Sequence, residues 1–136
     1  MPLRTSLIAL IALAGAFAAA PAGHALESGD RLTVTVEGAG DGRDGTYELE
    51  CAPPGGTHPD PEGACEVLRA ARAPFATAGG TDGAEPLCTY VYGGPATATI
   101  QGVWNGEPVH ARYSRTNGCE IARWDALVPV LPGPVS

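Results

Sequence analysis

The run Cys88-Thr89-Tyr90-Val91-Tyr92, followed by Gly93-Gly94-Pro95, combines side chains that a protease pocket recognises with a cysteine that can hold them still. Tyr90 is large and uncharged, which suits an apolar pocket. An extended backbone of this kind adds a strand to a substrate cleft, where main-chain hydrogen bonds give affinity and side chains choose the enzyme. A segment fixed in that shape before binding has already lost the entropy that ordering would cost. By itself the run also fits an ordinary strand with two aromatics on one face.

The other groups with chemical potential point elsewhere. Cys51, Cys65, Cys88 and Cys119 are the four cysteines; in a small exported chain they form two disulfides, for which three pairings can be drawn. No CxxC unit is present, so zinc and thioredoxin chemistry have no support, and no metal or other cofactor is expected. Asp41-Gly42-Arg43-Asp44-Gly45 superficially resembles a calcium loop, but Arg43 occupies a position that needs an oxygen ligand, and a solvated hairpin turn is the better reading. His24, His58 and His110 have no nucleophile partner nearby in sequence, and His58 reads as a hydrogen-bonding loop residue. An enzyme is not expected.

Arg4, the apolar stretch Leu7 to Ala20 and the small residues that follow form a secretory signal peptide with cleavage after Ala25, or after Ala22. The apolar stretch is short for a membrane span, and no stop-transfer cluster follows it. Removing residues 1–25 from the 136 leaves 111, enough for one domain, residues 26–136, with a modest core. Loss of Arg4 takes the formal charge from −7 to −8. Nucleic acid and anionic membrane are therefore excluded as partners, since both reward clustered cations. With 19 glycines and 13 prolines, such a chain needs covalent staples.

The elements that must position these groups follow from periodicity. Leu32 to Val36 alternates apolar and hydroxyl residues, and Tyr47 to Cys51 alternates again, giving two paired strands joined by the turn-rich Gly38 to Gly45. Ala52 to Pro61, with its prolines and paired glycines, reads as loop. Asp60 as N-cap, Pro61 and Glu62 start a helix that runs to about Ala73, with Cys65 and Leu68 facing the sheet and Pro74 ending it. Phe75 to Pro86 is a long connection. Thr97 to Trp104 and Glu107 to Ser114 flank Asn105-Gly106, the strongest two-residue hairpin signal, with Pro108 opposite Val103 on an edge strand. Trp124 and Leu127 dock on the core, and the proline-rich tail from about residue 128 is expected to be flexible. The fold class is α+β: a two-layer sandwich of a roughly five-stranded antiparallel sheet with one or two helices.

Several pieces, in this order and spacing, resemble the Streptomyces subtilisin inhibitor family: Leu32-Thr33-Val34-Thr35-Val36, the loop from Cys51-Ala52-Pro53-Pro54-Gly55-Gly56 to Ala64-Cys65, Cys88-Thr89-Tyr90-Val91-Tyr92, Gly102-Val103-Trp104-Asn105-Gly106, and Asn117-Gly118-Cys119-Glu120. The resemblance implies pairings Cys51 with Cys65 and Cys88 with Cys119, and a homodimer formed through the sheet. It also implies inhibition of subtilisin-like serine proteases, and with the signal peptide and the large uncharged Tyr90 the reading is a secreted, extracellular inhibitor of these and also of chymotrypsin-like enzymes. Tyr90-Val91 becomes the reactive bond, with Leu87, Cys88 and Thr89 on its acyl side, Tyr92 beyond it, and Asn117 supporting the loop from behind. This chain departs from the family where Thr89 replaces a common proline and Gly118 a longer residue. The alternative is a secreted, disulfide-stabilised binding module for a partner that is not a protease.

Overall fold

The computed structural model describes residues 29–77 and 87–134, together with Gly15. The expected leader lies outside these residues apart from Gly15, as does most of the connection before Leu87. Five antiparallel strands form one sheet in the order β3-β2-β1-β4-β5: β1 Arg31–Glu37, β2 Gly45–Cys51, β3 Pro54–Gly56, β4 Thr97–Trp104 and β5 Glu107–Ser114. Helix α1 spans Pro61–Ala70 and α2 spans Gly118–Asp125. The α+β class, the five strands, two helices and two disulfides agree with the expectation.

Alternation sets the two faces. Leu32, Val34, Val36, Leu49, Ala98, Ile100, Trp104, Ala111 and Tyr113 point into the core beneath the helices, joined there by Leu68 of α1 and Trp124 of α2. The opposite face carries Thr33, Thr35, Glu48, Thr99 and Gln101, with Thr33 bonded to Glu48 across the strands. In the first turn the Asp44 carboxylate accepts from the N–H groups of Gly38, Ala39 and Gly40, so its charge is spent on backbone. In the second, Asn105 and Gly106 both take positive φ, as a type I′ turn requires, and Pro108 pairs with Val103 on the edge strand.

Three local expectations change. The loop after Cys51 contributes β3, which pairs Gly56 with Leu49 and Pro54 with Cys51; a proline is tolerated there because the strand lies at the sheet edge. Helix α1 starts where expected, with Asp60 Oδ1 accepting from Gly63 N–H at 3.0 Å, but ends at Ala70 rather than Ala73. Its next core-facing position would be Arg72, which gains nothing from burial, and Pro74 disfavours helical backbone at Ala73. The tail also differs: Val130 and Leu131 are buried, Trp124 Nε1–H donates to Pro132 O at 2.9 Å, and His58 Nε2–H donates to Val130 O at 2.9 Å. His58 Nδ1 accepts from Asp60 N–H, which fixes the neutral tautomer. The prolines that argued for disorder are outweighed by apolar burial at Leu127, Val130 and Leu131.

Tyr113 supplies a test of the core. Burial pushes its phenol up to about 12, against the opposing pull of Arg123, whose guanidinium lies 4.1 Å from the ring centroid. Below the ordinary tyrosine value of 10.0 both folded and unfolded chains keep the proton, and the contribution of the neutral phenol is complete. Between about pH 10 and 12 the unfolded chain releases its proton while the folded chain holds it, so stability falls as pH rises. Thermal denaturation across this window should show that decline. Tyr113→Phe, which also gives up the bond to Pro74 O, should flatten it; an equally steep decline in the phenylalanine variant would assign the effect to another group.

Candidate functional site

The segment from Leu87 to Gly94 has no regular secondary structure and presents its apolar side chains outward. Leu87 and Tyr90 are fully exposed, Val91 is 59% and Tyr92 65% exposed, and these four are the exposed large hydrophobic residues among the described ones. Exposure of that kind in a small folded domain marks a surface built for contact.

Two anchors hold the segment, one at each end. On the acyl side Cys88 is bonded to Cys119, the second residue of α2, with Cα atoms 5.2 Å apart, and Thr89 O accepts from Gly118 N–H at 2.9 Å. On the far side Gly93 N–H donates to Arg115 O at 2.7 Å, and Arg115 Nε–H donates back to Gly93 O at 3.3 Å. Between the anchors Tyr90, Val91 and Tyr92 carry no hydrogen bond to another of the described residues. Their backbone groups are open to a partner.

Helix α2 is the platform for both anchors. Asn117 caps it, with Oδ1 accepting from Glu120 N–H at 2.9 Å, so the first turn and its Gly118 N–H face the loop. The Asn117 side chain is thus spent on the helix cap, and the bond to the loop comes from the next residue's backbone. Further along the helix, Asp125 accepts from Arg115 Nη1–H at 2.7 Å, and the Arg115 guanidinium lies 5.6 Å from the centroid of the Trp124 ring. The second disulfide, Cys51 with Cys65, ties β2 to α1 away from the loop, as the resemblance implied. Among the described residues no cluster of three or more His, Cys, Asp or Glu could hold a metal ion.

Sequence reasoning located the segment, the family resemblance supplied both cysteine pairs, and Arg115 was missed. An arginine just past a predicted edge strand reads as solvated, and nothing linear pairs it with Asp125 or Gly93. Gly118 was noted only as a departure, and the structure gives its reason: a Cβ there would overlap Thr89 Oγ1. Gly118→Ala should therefore cost about 1–3 kcal/mol through overpacking. Adding Thr89→Ala, which removes the hydroxyl but leaves a Cβ 3.2 Å from the intruding one, should recover part of it in a denaturant-based double-mutant cycle. Strictly additive losses would show that the two side chains do not meet.

The sequence is similar to those of several known proteins. Subtilisin inhibitor-like protein 1 of Streptomyces cacaoi is 38% identical over 81 residues, covering 59% of this chain and 73% of that protein. The subtilisin inhibitor of Streptomyces violaceus is 34% identical over 118 residues, covering 82% of this chain and 80% of that protein. Sermetstatin from Streptomyces caespitosus, in its crystal structure with Bacillus licheniformis subtilisin, aligns at 30% identity over 68% of this chain and 86% of its own, with a TM-score of 0.38. The subtilisin inhibitor-like family model matches residues 27–117, a span that runs from before β1 to the cap of α2 and takes in the whole exposed segment. With that match and the 34% identical relative, this chain belongs to the subtilisin inhibitor-like family of serine-protease inhibitors.

Proposed function

We propose that this chain is secreted and inhibits subtilisin-like serine proteases as a substrate mimic, presenting Tyr90-Val91 as the reactive bond. The observation that carries the reading is the pairing of fully exposed Tyr90 with backbone anchors on both flanks. The enzyme's serine Oγ attacks the Tyr90 carbonyl carbon, the bond to Val91 N breaks, and the catalytic histidine delivers a proton to the departing amine. Because both flanks are tied to α2 and the end of β5, the new amine stays beside the ester. It attacks that ester, Oγ leaves, and the peptide bond re-forms faster than water completes hydrolysis.

Main-chain pairing with the cleft does not depend on sequence, so the Tyr90 side chain chooses the enzyme. A large uncharged residue fits the apolar primary pockets of subtilisin-like and chymotrypsin-like enzymes. Titration of subtilisin in a chromogenic assay tests the reading directly. One chain should extinguish one active site, and mass spectrometry should find slow cleavage between Tyr90 and Val91. Unchanged protease activity at a large excess of the chain would favour a binding module for a partner that is not a protease. The accompanying homodimer uses the uncovered, hydroxyl-rich sheet face, and sedimentation equilibrium reads it independently of inhibition.

A further inference from the structure

We propose that Arg115 is the positioning residue of the leaving side, a clamp whose lock is Asp125 and whose load is Gly93; this deepens, and rests on, the reading of Tyr90-Val91 as the reactive bond. Arg115 is one of two buried polar residues among those described, at 9% exposure, and it is the one beside the exposed segment. Its side chain does two things at once. Nε–H donates to Gly93 O at 3.3 Å and Nη1–H donates to Asp125 Oδ1 at 2.7 Å, while the guanidinium lies over the Trp124 ring. The planar fork supplies donors in fixed directions, so the ion pair with α2 orients the donor aimed at the loop. Its own carbonyl accepts from Gly93 N–H at 2.7 Å, which closes a two-bond bracket around one loop residue.

The bracket fits no other residue well. A Cβ added at Gly93 would lie 2.8 Å from Ile121 Cδ1 and 3.1 Å from Arg115 Cβ, so the loop backbone sits directly on the platform. Gly93 follows Val91 and Tyr92, and after acylation Val91 carries the free amine. The cysteine bridge holds the acyl half. On the leaving half, the Gly93 bracket is the hydrogen-bonded restraint nearest the new amine, and Arg115 contributes the side-chain arm of it. Loosening it should let the amine drift from the ester and give water time to attack. The expected signature is faster turnover of the inhibitor with little change in first encounter, because the Tyr90 side chain and the acyl half are untouched.

Three variants separate positioning from mere stability. Arg115→Met keeps an unbranched apolar side chain and removes both donors; Arg115→Lys can reach Asp125 but has one donor nitrogen where the guanidinium holds two in a fixed fork; Asp125→Asn leaves the fork but weakens its lock. In stoichiometric complexes with subtilisin, Arg115→Met and Arg115→Lys should be cut at Tyr90-Val91 about tenfold faster or more than the parent, with Asp125→Asn intermediate. Amide hydrogen exchange of the free chain supplies a readout that does not require inhibition: Gly93 should exchange about tenfold faster in Arg115→Met, while Gly118 and the strand amides keep the parent's rates. A parent that fails to inhibit, with Gly93 still selectively exposed in the variant, would remove the protease reading and leave the clamp standing. Equal Gly93 protection in parent and variant, or faster exchange spread evenly over the sheet, would overturn the clamp. So would parent-like cutting of a folded Arg115→Met chain.

Discussion

Tyr90→Asp is expected to lower affinity for subtilisin by about a thousandfold or more, while leaving the melting temperature unchanged. The free chain exposes the whole Tyr90 side chain, so its replacement disturbs no packing. In the complex the same position fills the enzyme's primary pocket, where an unpaired carboxylate loses its hydration without compensation. Tyr90→Lys tests the converse. A trypsin-type pocket carries a carboxylate that an uncharged residue leaves unpaired, so the lysine variant should gain trypsin inhibition on the unchanged frame. Titrations of subtilisin and trypsin with the parent and both variants read the outcome. A Tyr90→Asp chain as potent as the parent would place the reactive bond elsewhere.

What the sequence makes legible is what local physics determines. Asn105-Gly106 forces one turn geometry and therefore one register, and the structure pairs Trp104 with Glu107 and Val103 with Pro108 as that register requires. Leu32, Val34 and Val36 alternate because one sheet face is buried, and Asp60-Pro61 starts a helix because both residues suit a first turn. The resemblance added the cysteine pairings, which alternation alone leaves open. Features that depend on distant partners stayed hidden. β3 forms because Glu48 and Leu49 offer an edge, not because Pro54-Gly55-Gly56 favours extension. The tail order rests on Trp124, Leu127, Val130 and Leu131, at three- and four-residue spacings from one another along the chain save for the adjacent last pair, and these were outweighed in the sequence by Pro129, Pro132 and Pro134. Arg115 is the sharpest case, since its meaning comes from a helix carboxylate and a loop carbonyl that sequence does not bring together.

Replacing Cys88 and Cys119 together by alanine should convert the chain from an inhibitor toward a substrate. The bridge fixes the backbone two residues before Val91's partner carbonyl is reached, at Cys88, and fastens it to the platform that also carries Gly118 and, through Arg115, Gly93. Without it the acyl half retains the bond from Gly118 N–H to Thr89 O, which contributes about 1 kcal/mol and can open on its own. Loss of a native disulfide also costs a small secreted domain about 2–5 kcal/mol. The comparison must therefore be made at a temperature where circular dichroism still shows the folded sheet. Under those conditions inhibition should fade with time as mass spectrometry follows cleavage at Tyr90-Val91, whereas the parent holds its enzyme. The Cys51 to Cys65 pair provides the control, because it staples β2 to α1 and includes no residue of the segment or of its anchors. Its removal should lower stability without speeding cleavage of the folded fraction. If the Cys88 and Cys119 variant stays folded, uncut and inhibitory, the bridge is a staple like the other, and the hydrogen bonds from Gly118 and Arg115 suffice to keep the cleaved ends together.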